Sequence, residues 1–292
     1  MRSEHSAEER RLVVNGLRLL MRTWGEPQDR PVLYWHGLAH TARAGEELND
    51  TGPLLASRYR LYVVAVDVPG FGASPPVEAD GYHPHALAAL VPRLLDAIEV
   101  ERVAFIGSSW GGHIGCHVAA RSPERLTGLV LLDGGYRDPW YDASLPFEAR
   151  LAKSERAWEA QRDSQGTMVG DARGHHGPSN SSVEAAQQAG WRVTDGRVVP
   201  AVSPAVVAAA VHGIAQAPPS TTWPELDRSA LPVLLVAAGD TPDDDLERFA
   251  AAVPQADIHR ASGAGHDVLG EGGPAVLAVI GGWLRRLPLE RQ

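Results

Sequence analysis

A serine framed by glycines at a fixed spacing is the feature of this chain most suited to chemistry. Gly107-Ser108-Ser109-Trp110-Gly111-Gly112 follows the apolar run Arg102–Ile106 and leads into a helical pattern over Gly111–Arg121. A G-x-S-x-G spacing entered from a strand and left by a helix suits a hydroxyl presented on a tight turn. Glycines at 107 and 111 let neighbouring backbone pass close. The turn lifts the hydroxyl of Ser109 clear of the sheet edge. It also sets it at a helix N-terminus, where N–H groups and the helix dipole favour developing negative charge. Ser108 is the other hydroxyl, but the two glycines frame Ser109. A serine hydroxyl is a poor nucleophile at neutral pH, so this turn calls for an imidazole to take its proton and an acid to orient that imidazole. The chain has 12 histidines and 36 Asp and Glu residues, so residue type alone does not choose them.

The elements that must position these groups are legible from periodicity. Asn15-Gly16 between the short runs Arg11–Val14 and Leu17–Arg22 predicts an antiparallel hairpin, because both turn residues tolerate positive φ. Pro31–Trp35, Leu61–Val66, Arg102–Ile106, Leu129–Leu132 and Val233–Ala237 are continuous apolar runs, as expected of strands buried on both faces. Asp257–Arg260 is a further short strand. Helical patterns cover Ala86–Ile98, Gly111–Arg121, Leu246–Ala252 and Pro274–Leu287. Pro92 inside the first of these predicts a late start or a kink. Strands alternating with helices imply a mostly parallel sheet covered on both faces.

Residues 137–227 break that rhythm. They hold four of the eight tryptophans, Trp140, Trp158, Trp191 and Trp223, and a Gly/His/Ser-rich loop expected over Gly166–Ser182. Ser181–Glu184 matches a capping box, Asp195-Gly196 predicts a small hairpin, and Ser203–Gln216 reads as a helix with proline in its first turn. This segment is expected to form a mainly helical cap inserted into a core made of residues 1–136 and 228–292. Trp140, Trp158, Trp191, Trp223 and Phe147 are candidate pocket walls, which would favour an apolar or aromatic group on the substrate. Alternatively they build the cap's own core.

Composition bounds the rest. The net charge is -9 with no basic cluster, which argues against nucleic acid or an anionic membrane surface as the main partner. A lone cysteine, Cys116, excludes an intrachain disulfide and suits a reducing compartment. The N-terminus MRSEHSAEERR lacks the apolar stretch of a secretory signal, and no apolar run approaches the roughly 20 residues of a membrane span. A cytoplasmic protein, monomer or homodimer, is expected. His175-His176 are adjacent and do not share a helix face, so no metal site is expected. No dinucleotide fingerprint or phosphate loop appears, and no cofactor is expected.

The order of these motifs resembles the α/β-hydrolase superfamily along nearly the whole chain. The resemblance implies an α/β-hydrolase fold, a mostly parallel eight-stranded sheet flanked by helices with an inserted cap. It makes Ser109 the nucleophile. Trp35-His36-Gly37-Leu38 is similar to the family's His-Gly loop, which implies an oxyanion hole formed by the N–H groups of Leu38 and Trp110. His36 and Gly37 are placed at the edge of the substrate pocket, with His36 shaping the loop. Asp67–Ser74 resembles the family's D-x-x-G-x-G-x-S turn and is given a structural role. Gly263-Ala264-Gly265-His266-Asp267 resembles the loop that carries the catalytic histidine, His266. The acid divides. Most relatives carry it after the strand that follows the cap, which implies Asp240, although Ala237 stands where those relatives have glycine. Some carry it one strand earlier, which implies Asp133. Serine at the turn argues against epoxide hydrolases and haloalkane dehalogenases, which use aspartate there. The resemblance implies a carboxylic ester, thioester, lactone or amide bond cleaved through an acyl-enzyme. Carbon–carbon bond hydrolysis, a lyase or cyclase reaction, or a silent binding protein remain as alternatives.

Overall fold

A computed structural model describes residues 7–38, 48, 51–172, 191–194 and 197–288, with side chains described outside 161–199. Eight strands form one sheet: β1 (Glu8–Val14), β2 (Leu17–Trp24), β3 (Arg30–Trp35), β4 (Leu61–Val66), β5 (Val103–Ser108), β6 (Leu126–Leu132), β9 (Val233–Ala238) and β10 (Ala256–Ala261). Their spatial order is β1-β2-β4-β3-β5-β6-β9-β10. Only the pairs β1–β2 and β2–β4 are antiparallel. The first hairpin turns at Asn15 and Gly16, with φ of 50° and 80°, the two positive values its sequence signals.

The parallel strands read as unbroken apolar runs because both faces are buried. In β4, Tyr62, Val64 and Val66 enter one apolar cluster, and Leu61, Val63 and Ala65 enter the other. Period-two alternation therefore sorts side chains between two cores rather than between core and water. Against these faces lie α1 (Gly52–Tyr59), α2 (Pro84–Ala97), α3 (Trp110–Arg121), α7 (Asp243–Ala252) and α8 (Val268–Arg286). Pro92 neither starts nor ends α2. Leu87, Leu90, Val91, Leu94 and Leu95 are all buried on one side, and that stripe outweighs the one hydrogen bond a proline removes. The last helix starts earlier than its proline suggests. It begins at Val268, kinks at Gly273 (φ 52°, ψ -142°), and Pro274 opens the second half.

Between β6 and β9 lie α4 (Phe147–Ala172), the hairpin β7 (Trp191–Thr194) and β8 (Arg197–Pro200), α5 (Pro204–Gln216) and α6 (Trp223–Ser229). Helix α4 runs through residues 166–172, where a loop is expected. The rest of that loop, its His175-His176 pair and the capping box at 181–184 lie outside the described residues. The hairpin is present in register, Thr194 opposite Arg197. Ser203 caps α5 by accepting from Val206 N–H at 3.4 Å. Val206, Ala209, Ala210, Ile214, Trp223 and Leu226 join the apolar cluster on one face of the sheet, so α5 and α6 pack as part of the main core. Among the described residues no helix is long and apolar enough to cross a membrane.

Candidate active site

Strand β5 ends at Ser108 and α3 begins at Trp110, leaving Ser109 alone at the turn with φ 51° and ψ -112°. A non-glycine residue at positive φ is strained, and packing must hold it there. The glycines around it show how. A Cβ on Gly107 would lie 2.3 Å from the carbonyl oxygen of Gly111, and one on Gly111 would lie 2.2 Å from that of Trp35. A Cβ on Gly134 would meet the carbonyl oxygen of Ser109 at 2.0 Å. The end of β6 thus presses its backbone onto the turn, and the Ser109 N–H donates to Leu132 O at 2.8 Å.

His266 approaches from the loop between β10 and α8. That loop is pinned twice: Gly265 N–H donates to Glu271 Oε2 at 2.8 Å, and Gly270 N–H to Asp267 Oδ1 at 2.9 Å. The imidazole spans 2.8 Å from Nε2 to Ser109 Oγ and 2.6 Å from Nδ1 to Asp133 Oδ2. A carboxylate can only accept, so Nδ1 carries the proton and Nε2 accepts from the serine hydroxyl. The hydrogen bond to Asp133 raises the pKa of His266 above the usual imidazole value, with burial opposing it.

Of the two acids the resemblance implied, Asp133 and not Asp240 is brought to the imidazole. Asp240 lies exposed in the turn after β9, and Asp133, at the end of β6, meets His266. Asp133 has φ 42°, a left-handed conformation that aspartate tolerates better than most side chains. That bend turns its carboxylate toward β9. Oδ1 accepts Ala238 N–H at 3.1 Å and the Tyr136 hydroxyl at 2.9 Å. Burial pushes the Asp133 pKa up, but the bonds from His266, Ala238 and Tyr136 outweigh it and leave the carboxyl below its ordinary value. Two other acids after β9 are engaged elsewhere: Asp243 with Arg260, and Asp245 with Arg137 at 3.5 Å and Arg248 at 3.4 Å.

His36 is fully buried and both its nitrogens are spoken for. Nδ1–H donates to Gly37 O at 2.8 Å, and Nε2 accepts Val68 N–H at 3.2 Å. It shapes the loop after β3 and does not line the cavity. Gly37 does: its Cβ position lies 3.4 Å from Ser109 Cβ, so this loop abuts the nucleophile turn. Leu38 lines the same cavity as Ser109, and Trp110, next in the chain after Ser109, is the first residue of α3. Asp67 binds its own loop, accepting Ala73 N–H at 3.1 Å on Oδ2.

A cavity of about 550 Å³ opens at Ser109 and His266. Its apolar wall comes from Tyr34, Leu38, Leu54, Leu269, Pro274 and Leu277, on β3 and the loop after it, α1 and α8. Trp140, Trp158 and Trp223, expected as walls, are placed elsewhere. Trp140 is 83 % exposed. Trp158 is half-buried on α4 and does not reach the cavity. Trp223 packs edge-on against Phe249 in the core at 5.4 Å. The side chain of Trp191 lies outside the described residues. Sequence periodicity did not point to this wall: no helix is expected over residues 52–59, and the last helix is expected to begin only at Pro274, beyond Leu269. No group of three or more His, Cys, Asp or Glu able to hold a metal occurs among the described residues.

Comparisons with known proteins agree with this architecture. The family described as alpha/beta hydrolase fold matches residues 30–273. A 2-hydroxy-6-oxononadienedioate/2-hydroxy-6-oxononatrienedioate hydrolase of Paraburkholderia xenovorans is 36 % identical over 118 residues, 40 % of this chain and 40 % of that protein. A serine hydrolase-like protein of Danio rerio is 35 % identical over 130 residues, 44 % of this chain and 38 % of that protein. The chain thus spans about two fifths of the length of these relatives. Among solved structures, E-2-(acetamidomethylene)succinate hydrolase superposes with a TM-score of 0.71 at 20 % identity, covering 96 % of this chain and 99 % of that one. An esterase of Thermogutta terrifontis gives 0.68 at 22 % identity, covering 96 % and 99 %. With the strand order, the strained serine turn and a family match from β3 into α8, the chain belongs to the α/β-hydrolase fold family.

Proposed function

We propose that this protein is a serine hydrolase that cleaves a carboxylic ester or a related acyl bond through an acyl-enzyme. The observation that carries the reading is the continuous hydrogen-bonded chain Ser109–His266–Asp133, each link between 2.6 and 2.8 Å. His266 Nε2 takes the proton of Ser109 Oγ as that oxygen attacks the carbonyl carbon. Asp133 holds the imidazole tautomer and stabilises the cation that forms. The N–H groups of Leu38 and Trp110 hold the oxyanion, an arrangement worth about 3 kcal/mol per donor in related chemistry. The same imidazole then activates water to release the acid. The apolar wall from Leu38, Leu54, Leu269 and Leu277 favours an apolar group on a small-molecule substrate.

A second reading, hydrolysis of a carbon–carbon bond, draws on the relatives named as 2-hydroxy-6-oxononadienedioate/2-hydroxy-6-oxononatrienedioate hydrolases. In that reading the same serine and histidine act on a vinylogous ketone. Nitrophenyl esters and a 2-hydroxy-6-oxodienoate, each offered to wild type and Ser109→Ala, separate the two. Ester turnover that vanishes in Ser109→Ala, together with fluorophosphonate labelling of wild type alone, is the expected result. An active or labelled Ser109→Ala protein would sink both readings. Turnover of the dienoate with esters left untouched would select the second.

A further inference from the structure

The Asp133 carboxylate is held by more than the imidazole. Tyr136 is completely buried, and its hydroxyl lies 2.9 Å from Asp133 Oδ1 and 3.3 Å from Thr241 Oγ1. The directions of these bonds follow from proton counting. A carboxylate has nothing to donate, so the one phenolic proton goes to Asp133, and the Tyr136 oxygen then accepts from Thr241. Thr241 is itself 5 % exposed and sits in the turn after β9, one residue beyond Asp240. The place where a carboxylate was expected therefore supplies a hydroxyl, which reaches the acid on β6 through a tyrosine.

We infer that Tyr136 is a positioning residue for the acid, and that Thr241 acts through it, in one directed chain: Thr241 O–H to Tyr136 O–H to Asp133 to His266 to Ser109. This rests on the proposed role of Ser109 and His266. With Ala238 N–H and Tyr136 O–H on Oδ1, the carboxylate cannot rotate without losing two bonds, so Oδ2 stays aimed at Nδ1. Burial is the main cause that pushes the Tyr136 hydroxyl up to about 12, and the group remains a donor throughout the working range. Arg137 lies over the Tyr136 ring, 5.4 Å from its centroid.

Removing the phenolic proton makes the carboxylate more basic. A more basic Asp133 binds the imidazolium more tightly and is itself more easily protonated. Both effects move the loss of activity on acidification to higher pH. The other charged or titratable groups that face His266 are Arg137, Asp267 and His113, all left unaltered.

The test uses the full chain and a fluorophosphonate probe, whose labelling rate needs an activated Ser109 but no knowledge of the substrate. Ser109→Ala is run first. Labelling of that variant, or none of wild type, means that the underlying hydrolase reading has failed. Given a labelled wild type and a silent Ser109→Ala, Tyr136→Phe should label about 10-fold more slowly at saturating probe, with its half-saturation unchanged. The acidic limb of its pH profile should move up by about 0.5 unit. Thr241→Val should show a smaller shift of the same sign. The double variant should match Tyr136→Phe, because Thr241 has no route to Asp133 except through the phenol. A wild-type rate and limb in Tyr136→Phe would overturn the inference, as would additive effects in the double variant. A lowered melting temperature with an unmoved limb would assign Tyr136 to packing alone. If Tyr136→Phe does not fold, the limb of Thr241→Val decides.

Discussion

At the residue scale, the pair of carboxylates Asp133 and Asp240 gives the sharpest contrast. Asp133→Asn keeps the shape of the side chain but can present an amide N–H where His266 needs an acceptor, favouring the wrong imidazole tautomer. In serine hydrolases this costs about 10⁴ in kcat. The expected outcome is a fall of that order in Asp133→Asn and less than about twofold in Asp240→Asn, both read as kcat on one nitrophenyl ester. Wild-type activity should also depend on a neutral His266. Its raised pKa places the acidic limb of kcat/KM above the ordinary imidazole value, so activity falls as pH drops through that raised pKa. Asp133 stays ionised across this limb, because its pKa is displaced the other way. The choice between the two acids was open in the sequence for a physical reason. Both lie at the end of a parallel strand, β6 or β9, and adjacent strand ends lie about 5 Å apart. The informative signal was Gly134-Gly135 behind Asp133: a Cβ on Gly134 would meet the backbone of Ser109, and one on Gly135 would meet Cys116 Sγ and Gly112 O, both at 2.8 Å.

At the element scale, the seam between α3 and α5 carries a pH-dependent term. His117 on α3 is 1 % exposed and donates Nε2–H to Ala217 O at 3.0 Å, just past the end of α5. Burial is the main cause that lowers its pKa to about 4, with the bond to Ala217 opposing it and His85, His83 and Arg121 adding to the fall. His117 is neutral in the folded protein, whereas an unfolded imidazole takes a proton near 6.5. Stability from this group is complete above about 6.5 and is lost as pH falls toward about 4, at most about 3 kcal/mol. His117→Gln keeps a donor and removes the titration. Thermal denaturation should show the variant losing less melting temperature than wild type between pH 7 and pH 4.5. Equal losses would place the acid sensitivity elsewhere. The helices at this seam were largely legible: α3 and α5 begin within a residue or two of their expected starts, because proline, capping serine and the glycine turn act locally. Helix α4 was not, because its mean hydropathy is low and its glycine at 166 reads as a loop.

At the scale of the whole molecule, the cavity and the tryptophans trade roles. The wall at Ser109 comes from core elements α1 and α8, and the kink at Gly273 opens the space beside Pro274 and Leu277. A Cβ at Gly273 would meet nothing within 4 Å. Leu277→Trp should fill part of this space and shift preference among nitrophenyl esters toward shorter acyl chains, by about 10-fold between acetate and octanoate. Trp140→Ala should leave that preference unchanged, since the ring stands in solvent with Tyr141 at 4.8 Å and Lys153 at 5.7 Å. A chain-length shift in Trp140→Ala with none in Leu277→Trp would return the pocket to the inserted segment.

The sequence by itself determined the sheet, the strained serine turn and the loop bearing His266. Those depend on local rules: apolar runs for buried strands, glycines where backbones nearly touch, and proline or a capping side chain where helices begin. Tertiary structure alone decided which aspartate meets the imidazole, that Tyr136 and Thr241 stand behind it, and which apolar side chains face the cavity. The contacts that tie the acid into the site are long-range: Asp133–Ala238 and Tyr136–Thr241 join residues 105 positions apart, Asp133–His266 133 and Ser109–His266 157. Such contacts follow from how neighbouring strand ends and helices pack, which no pattern within a single segment encodes.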